Sequence, residues 1–361
     1  MRFERAPRGR DPSRLHREER PGPRSVASTL AATAGIFLVG AIYLGSRGLR
    51  NFDSALVGYA VAIVFLTFGV VYRYAVWVQS PPARRYLIRG WRAFLSWRNF
   101  LRFPALVPRA LISHLSFQTF IRERGRARWL AHQAVFWGVI LATLITFPLV
   151  FGWIHFRALP GERVRYVLFV WGFRAFTFEP LSWFGWLVFH GLDVSAVLVL
   201  AGCGYFIWRR FRDREASTGQ RLGYDFIPLL ALVAISVTGL LLTFSSLLLD
   251  GRGYEFLAII HMATVVLTLV FIPFGKFFHV IQRPAQVGVE VFKRTSAERS
   301  GVFLCRHCRA PLETTGFVTN LQETMQELGL PFAEWVETCP RCKRHRRGEA
   351  YLAQVKRGFV R

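Results

Sequence analysis

The chain has 361 residues, 52% of them hydrophobic, with 34 Phe and 11 Trp, and a formal net charge of +25. A pI near 11.2 combined with a positive mean hydropathy of +0.29 sets it apart from ordinary soluble domains. Nucleic-acid binding, the usual reading of so basic a chain, is disfavoured because the Arg residues are spread among loops between apolar runs.

In chain order, a basic leader (residues 1–25) precedes six apolar runs, at about 26–46, 54–79, 129–156, 183–208, 226–249 and 255–281. Each is long enough to cross roughly 30 Å of hydrocarbon. The first run reads as a span rather than a cleavable signal, since it is long and follows an extended leader. The connections alternate in basicity. Residues 80–128 hold eleven Arg and one acid, Glu123, and "RRFRDREASTGQR" (209–221) holds five Arg. By contrast, "RGLRNFD" and "DGRGYE" are short and nearly balanced. The positive-inside rule then expects a multi-pass plasma (inner) membrane protein with both termini in the cytoplasm.

The Arg-rich stretch 80–128 mixes Arg with Trp, Phe and Leu, as in "RRYLIRGWRAFLSW". That composition suits helices lying in the membrane interface, or alternatively a docking surface for a soluble partner. No internal repeat is evident. The fold expected is all-α and polytopic: a six-transmembrane-helix bundle with a small cytoplasmic four-cysteine zinc-ribbon-like domain. Its parts are the leader 1–25, two N-terminal spans (26–79), the Arg-rich insertion 80–128, a four-helix haem-binding core (129–282), a linker (283–300) and a metal-binding tail (301–361).

Histidines inside spans are functional candidates by default. His261 and His279 are eighteen residues apart. On one continuous helix that is five turns, which puts both on one face roughly 27 Å apart. His132 enters its span just after "RERGRAR", and His279 precedes Arg283, so both are expected near the cytoplasmic face. His190 precedes Arg209 by nineteen residues, which matches it in depth to His261 near the outer face. His114 and His155 fall at interfaces. Two depth-matched pairs on facing helices suit bis-histidine haem b, whereas zinc would need three or four ligands at one depth.

Four of the five Cys form "CRHC" (Cys305, Cys308) and "CPRC" (Cys339, Cys342). Each CxxC lets two thiolates bite one ion, and the two pairs close a tetrahedron. Arg309 and Lys343 stand where a rubredoxin knuckle carries Gly. That favours structural Zn²⁺ over redox Fe, with His307 and His345 as surface residues. Cys203, alone in the fourth run, reads as packing.

The segment "HMATVVLTLVFIPFGKFFHVIQRP" resembles the last helix of the cytochrome b (gamma) subunit of respiratory nitrate reductases, with His, seventeen residues, His and a Phe-Pro-Phe-like step. "RWLAHQAVFWGVILATLITFP" is similar to the helix carrying the proximal haem ligand, here His132. It is closer still to the "H…FWG" form of membrane cytochromes in heterodisulfide-reductase-like and sulfite-reduction complexes. "RRFRDREASTGQRLGYDFIPLLALVAISVTGLLLTF" resembles the loop and helix between them. The likeness covers roughly residues 127–290. Ala142 stands where the nitrate-reductase family has a second His, so either His190 replaces that ligand or one haem binds.

The resemblance implies a haem b (one or two) electron-transfer subunit working between quinone and a cytoplasmic iron–sulfur or molybdopterin partner. It would sit in membrane lipid and would not be catalytic alone. Arg128 and Arg283 lie near the His132 and His279 pair and read as topology charges or, alternatively, as propionate partners. The other readings are a haem-free membrane scaffold with a zinc-ribbon docking tail, and an intramembrane-His proton-coupled transporter in which Asp193 orients His190.

Overall fold

The structure is a computed structural model that describes residues 23–159, 165–212 and 222–358. Six helices are long and apolar enough to cross a membrane. They are α1 (Pro23–Gly45), α2 (Val57–Gln79), α6 (Arg126–Val150), α7 (Trp183–Arg212), α8 (Ile227–Leu248) and α9 (Tyr254–Phe271). Between α2 and α6 lie α3 (Pro81–Phe94), the short α4 (Trp97–Arg102) and α5 (Leu106–Ala110), a π turn (Leu111–Ser116) and a 3-10 turn (Thr119–Arg124). After α9 come α10 (Phe278–Ser300), α11 (Thr315–Glu327), α12 (Ala333–Val336) and α13 (Pro340–Gly358).

Neighbours in the bundle follow the chain. α6 packs on α7, α7 on α8, α8 on α9, and α9 on α2, which is also paired with α1. α6 and α7 approach most closely, along glycines. A Cβ at Gly138 would lie 2.8 Å from Val199, and one at Gly191 would lie 2.6 Å from Ile145. Ser195 Oγ donates to the Gly138 carbonyl at 2.7 Å, buried between the two helices. Without water to drive association, such small-residue contacts and interhelical hydrogen bonds are what hold spans together.

Two spans end earlier than the apolar runs suggest. α6 stops at Val150 rather than near 156, because the chain turns at Gly152 (φ +67°) into an antiparallel meander. Its strands are β1 (Ile154–Ala158), β2 (Tyr166–Val170) and β3 (Phe173–Phe178), in the order β1-β2-β3.

The larger correction concerns the sixth run, which is not one helix. α9 ends at Phe271 and α10 begins at Phe278, so His261 and His279 do not share a continuous face. Pro273 has no N–H to give, and its ring crowds the preceding turn. Phe274 and Gly275 both bond back to the Phe271 carbonyl, and the ladder breaks. The freed carbonyls are met from α2, where Arg73 Nη1 donates to the Pro273 and Gly275 carbonyls. Its guanidinium lies 4.2 Å above the Phe278 ring. One turn earlier on α2, Gly69 leaves room for Pro273, whose Cγ would be 2.7 Å from a Cβ there.

Residues 283–300, expected as a linker, are the body of α10. That helix packs along α3, and the backbones meet at Gly90 and Gly288, where an added Cβ would lie 2.9 Å from the opposite main chain. Ala93, Ala110, Val287 and Val291 form the small core beneath. Arg85 bonds Glu323 at 3.0 Å and Glu327 at 2.6 Å, and Arg89 bonds Glu323 at 3.1 Å, which ties α3 to α11. The Arg-rich insertion is therefore a platform for the chain's own tail.

Replacing Arg73 by Leu leaves the Pro273 and Gly275 carbonyls unpaired, each worth about 1–3 kcal/mol when buried. The expected result is a thermal midpoint several degrees below that of the parent protein in detergent, read by tryptophan fluorescence.

Candidate functional site

His132 lies in the second turn of α6, and its Nδ1 is buried with no hydrogen-bond partner among the described residues. His279 is the second residue of α10, placed there by the break after Phe271. Its Nδ1 lies 2.6 Å from the Lys276 carbonyl, which can only accept, so Nδ1 carries the proton and Nε2 keeps its lone pair. His132, His279 and Arg283 are close enough to interact electrostatically.

Arg283 stacks 4.6 Å over Phe120, donates to Gln286 Oε1 at 2.9 Å, and is repelled by Arg124. Among the described residues no carboxylate is paired with it. Two half-buried imidazoles thus share a neighbourhood with uncompensated positive charge. A buried nitrogen without a protein partner calls for an explanation such as a bound group.

The structure does not bring His190 and His261 together. His261 Nδ1 is 2.9 Å from Thr238 Oγ1 on α8. That hydroxyl already donates to the Ala234 carbonyl at 2.7 Å, so it accepts from His261 and leaves Nε2 free. His190 Nδ1 is 3.6 Å from Asp193, whose other oxygen accepts from Thr243 on α8 at 2.7 Å. Thr238 is about 7.5 Å deeper along α8 than Thr243, and His190 is about 4.5 Å shallower than Asp193. His261 and the Asp193 carboxylate beside His190 thus engage α8 at different turns, Thr238 and Thr243. The eighteen-residue count from His279 back to His261 crosses the break after Phe271. His155 sits on β1, stacked 4.9 Å from Phe169. His114 is on the π turn Leu111–Ser116.

The four tail cysteines do converge. Their sulfurs lie within 4.8 Å of one another, with Cys308 and Cys339 at 3.6 Å. The first pair sits in the knuckle between β4 (Val302–Leu304) and β5 (Pro311–Thr314). Arg309 takes the left-handed conformation there (φ +59°) that usually favours Gly, and its N–H bonds the Cys305 carbonyl at 2.9 Å. The second pair does not form a matching hairpin, as a ribbon would require. Cys339 and Cys342 flank the start of α13, because Pro340 opens that helix.

Backbone N–H groups of Cys308 and Cys339 pull the Cys305 thiol down to about 6. The crowded neighbouring sulfurs push Cys342 up to about 12. Such a cluster could hold a metal ion such as zinc, whose charge would relieve the crowding of thiolates. His307 pairs with Arg346 (3.2 Å) and His345 with Glu349 (3.3 Å), both away from the sulfurs. Cys203 is fully buried in α7.

Sequence reasoning passed over Arg73. Its signal was available, since it is the one ionisable residue of α2 apart from tyrosines.

One equivalent of tightly held zinc or iron per chain is expected by elemental analysis, and it should be lost in Cys305→Ala and in Cys339→Ala. Chelation should open residues 301–358 to limited proteolysis while leaving the six apolar helices protected. Comparison with protein-family models, with curated proteins and with solved structures yields no match to this chain.

Proposed function

We propose that the chain is the membrane cytochrome b subunit of a respiratory oxidoreductase complex, similar in role to the gamma subunit of nitrate reductases. The observation that carries the reading is the grouping of His132, His279 and Arg283 at one end of the bundle. The residues fit haem. His279 has its tautomer fixed by the Lys276 carbonyl, and the buried imidazole of His132 has a nitrogen with no protein partner. Arg283, with Arg124 beside it, supplies positive charge suited to a propionate. In this reading His132 and His279 would hold haem b, which would supply one-electron transfer when bound.

The partners of His261 on α8 and of His190 on its own helix support a reading with one haem, held by His132 and His279. Thr238 holds His261 in the wall between α8 and α9, and Asp193 orients His190. The chain's residues bind, orient and tune, and electrons pass between membrane quinone and a cytoplasmic iron–sulfur or molybdopterin partner. The Arg-rich end, which carries α3, α10 and the four-cysteine tail, would face the cytoplasm, with both termini on that side. The docking of the tail on α3 through Arg85 and Arg89 also favours a second reading, a haem-free scaffold that presents a metal-bound tail to a soluble complex.

Pyridine-haemochrome analysis with a dithionite-reduced minus oxidised spectrum separates the two. One haem b per chain is expected, absent in His132→Ala and His279→Ala and retained in His190→Ala. A folded, metal-loaded preparation with no Soret band would leave the scaffold.

A further inference from the structure

On the side of α10 away from the histidines, α3, α10 and the start of α11 enclose a cavity of about 510 Å³. Three arginines line it, Arg89, Arg92 and Arg299, and no Asp or Glu does. Arg89 is neutralised by Glu323 at 3.1 Å. Arg92 and Arg299 have no carboxylate partner among the described residues.

Arg299 is nevertheless held in place. Its Nη2 donates to Asn99 Oδ1 at 3.1 Å, and Asn99, only 5% exposed, is fixed by donating its own amide to the Ala93 carbonyl at 2.9 Å. A neutral amide orients a guanidinium without discharging it, so the positive charge stays available to a ligand. Beside it lies Ser296, 8% exposed, whose hydroxyl packs against Gly316. Gly316 forms the facing wall, and a Cβ there would collide with Ser296 Oγ. Two guanidinium groups without a counter-charge, one of them oriented by a buried amide, beside a serine hydroxyl are the parts of an anion site.

We infer that this cavity binds a phosphate-bearing anion, with Arg92, Arg299 and Ser296 as its contacts. Two guanidinium groups without a counter-charge, one of them held by a buried amide, suit the oxygens of a phosphate group. Because the walls come from both the platform and the tail, the anion would clamp α11 against α3 and α10. The inference does not depend on haem. The phosphate can come from a soluble metabolite or from a lipid headgroup.

The test is isothermal titration of the purified full chain in detergent with pyrophosphate and, separately, with a short-chain phosphatidic acid. Saturable one-to-one binding of at least one probe is expected. It should weaken at least tenfold in Arg92→Gln and in Arg299→Gln, and be unchanged in Arg109→Gln. Asn99→Asp should abolish it by pairing Arg299 with a carboxylate of the same shape, while the metal content of the cysteine cluster stays at the parent value. Tighter binding of pyrophosphate identifies a soluble ligand, and tighter binding of the lipid identifies a headgroup. Saturable binding of neither probe, or binding that survives the Arg92→Gln/Arg299→Gln double variant, overturns the inference.

Discussion

The architecture depends on how Arg73 meets the main chain of the broken sixth apolar run. A proline inside a span releases carbonyls that hydrocarbon cannot satisfy, and a neighbouring helix must answer them. Here α2 answers twice, with Gly69 opening space for Pro273 and Arg73 donating to the carbonyls of Pro273 and Gly275. The charge on Arg73 is spent on carbonyl dipoles and on the face of Phe278, so it needs no acid. Through this contact α2 sets the direction in which α10 leaves the bundle. That in turn sets where His279 faces α6 and where the tail is carried.

Much of the outline was legible in the sequence. Four of the six apolar runs coincide with their helices to within a few residues, because uninterrupted apolar stretches have one low-energy solution in hydrocarbon. The convergence of the four tail cysteines was also legible, since CxxC spacing restricts sulfur geometry whatever the surrounding fold. The exact form of that domain was not. Only the structure shows that Pro340 starts a helix where a second knuckle was expected, a choice between local conformations that spacing alone does not decide.

The histidine pairing was half legible. His132 and His279 lie a few residues from Arg-rich stretches, and the structure brings them close enough to interact. His190 and His261 were placed by counting across whole spans, where errors accumulate. The break after Phe271 lies inside that count, and the two histidines have separate partners, Thr238 for His261 and Asp193 for His190. Arg73 and the interior of 283–300 were missed for a related reason. Both matter through tertiary partners, the carbonyls at 273 and 275 and the Gly90 backbone, that no local pattern announces.

The helix that starts at the break has a mechanical consequence. α10 is 23 residues long, about 34 Å at helical rise, and is stiffened along its length by α3. Its near end carries His279 and its far end the hairpin that bears Cys305 and Cys308. It is therefore a lever whose fulcrum is the Pro273–Gly275 turn. A tilt of about 5° there would swing the far end by about 3 Å, on the scale of the one-turn and sub-turn helix shifts known at protein interfaces. The histidine end and the cysteine hairpin are thus joined by one helix with no loop between them.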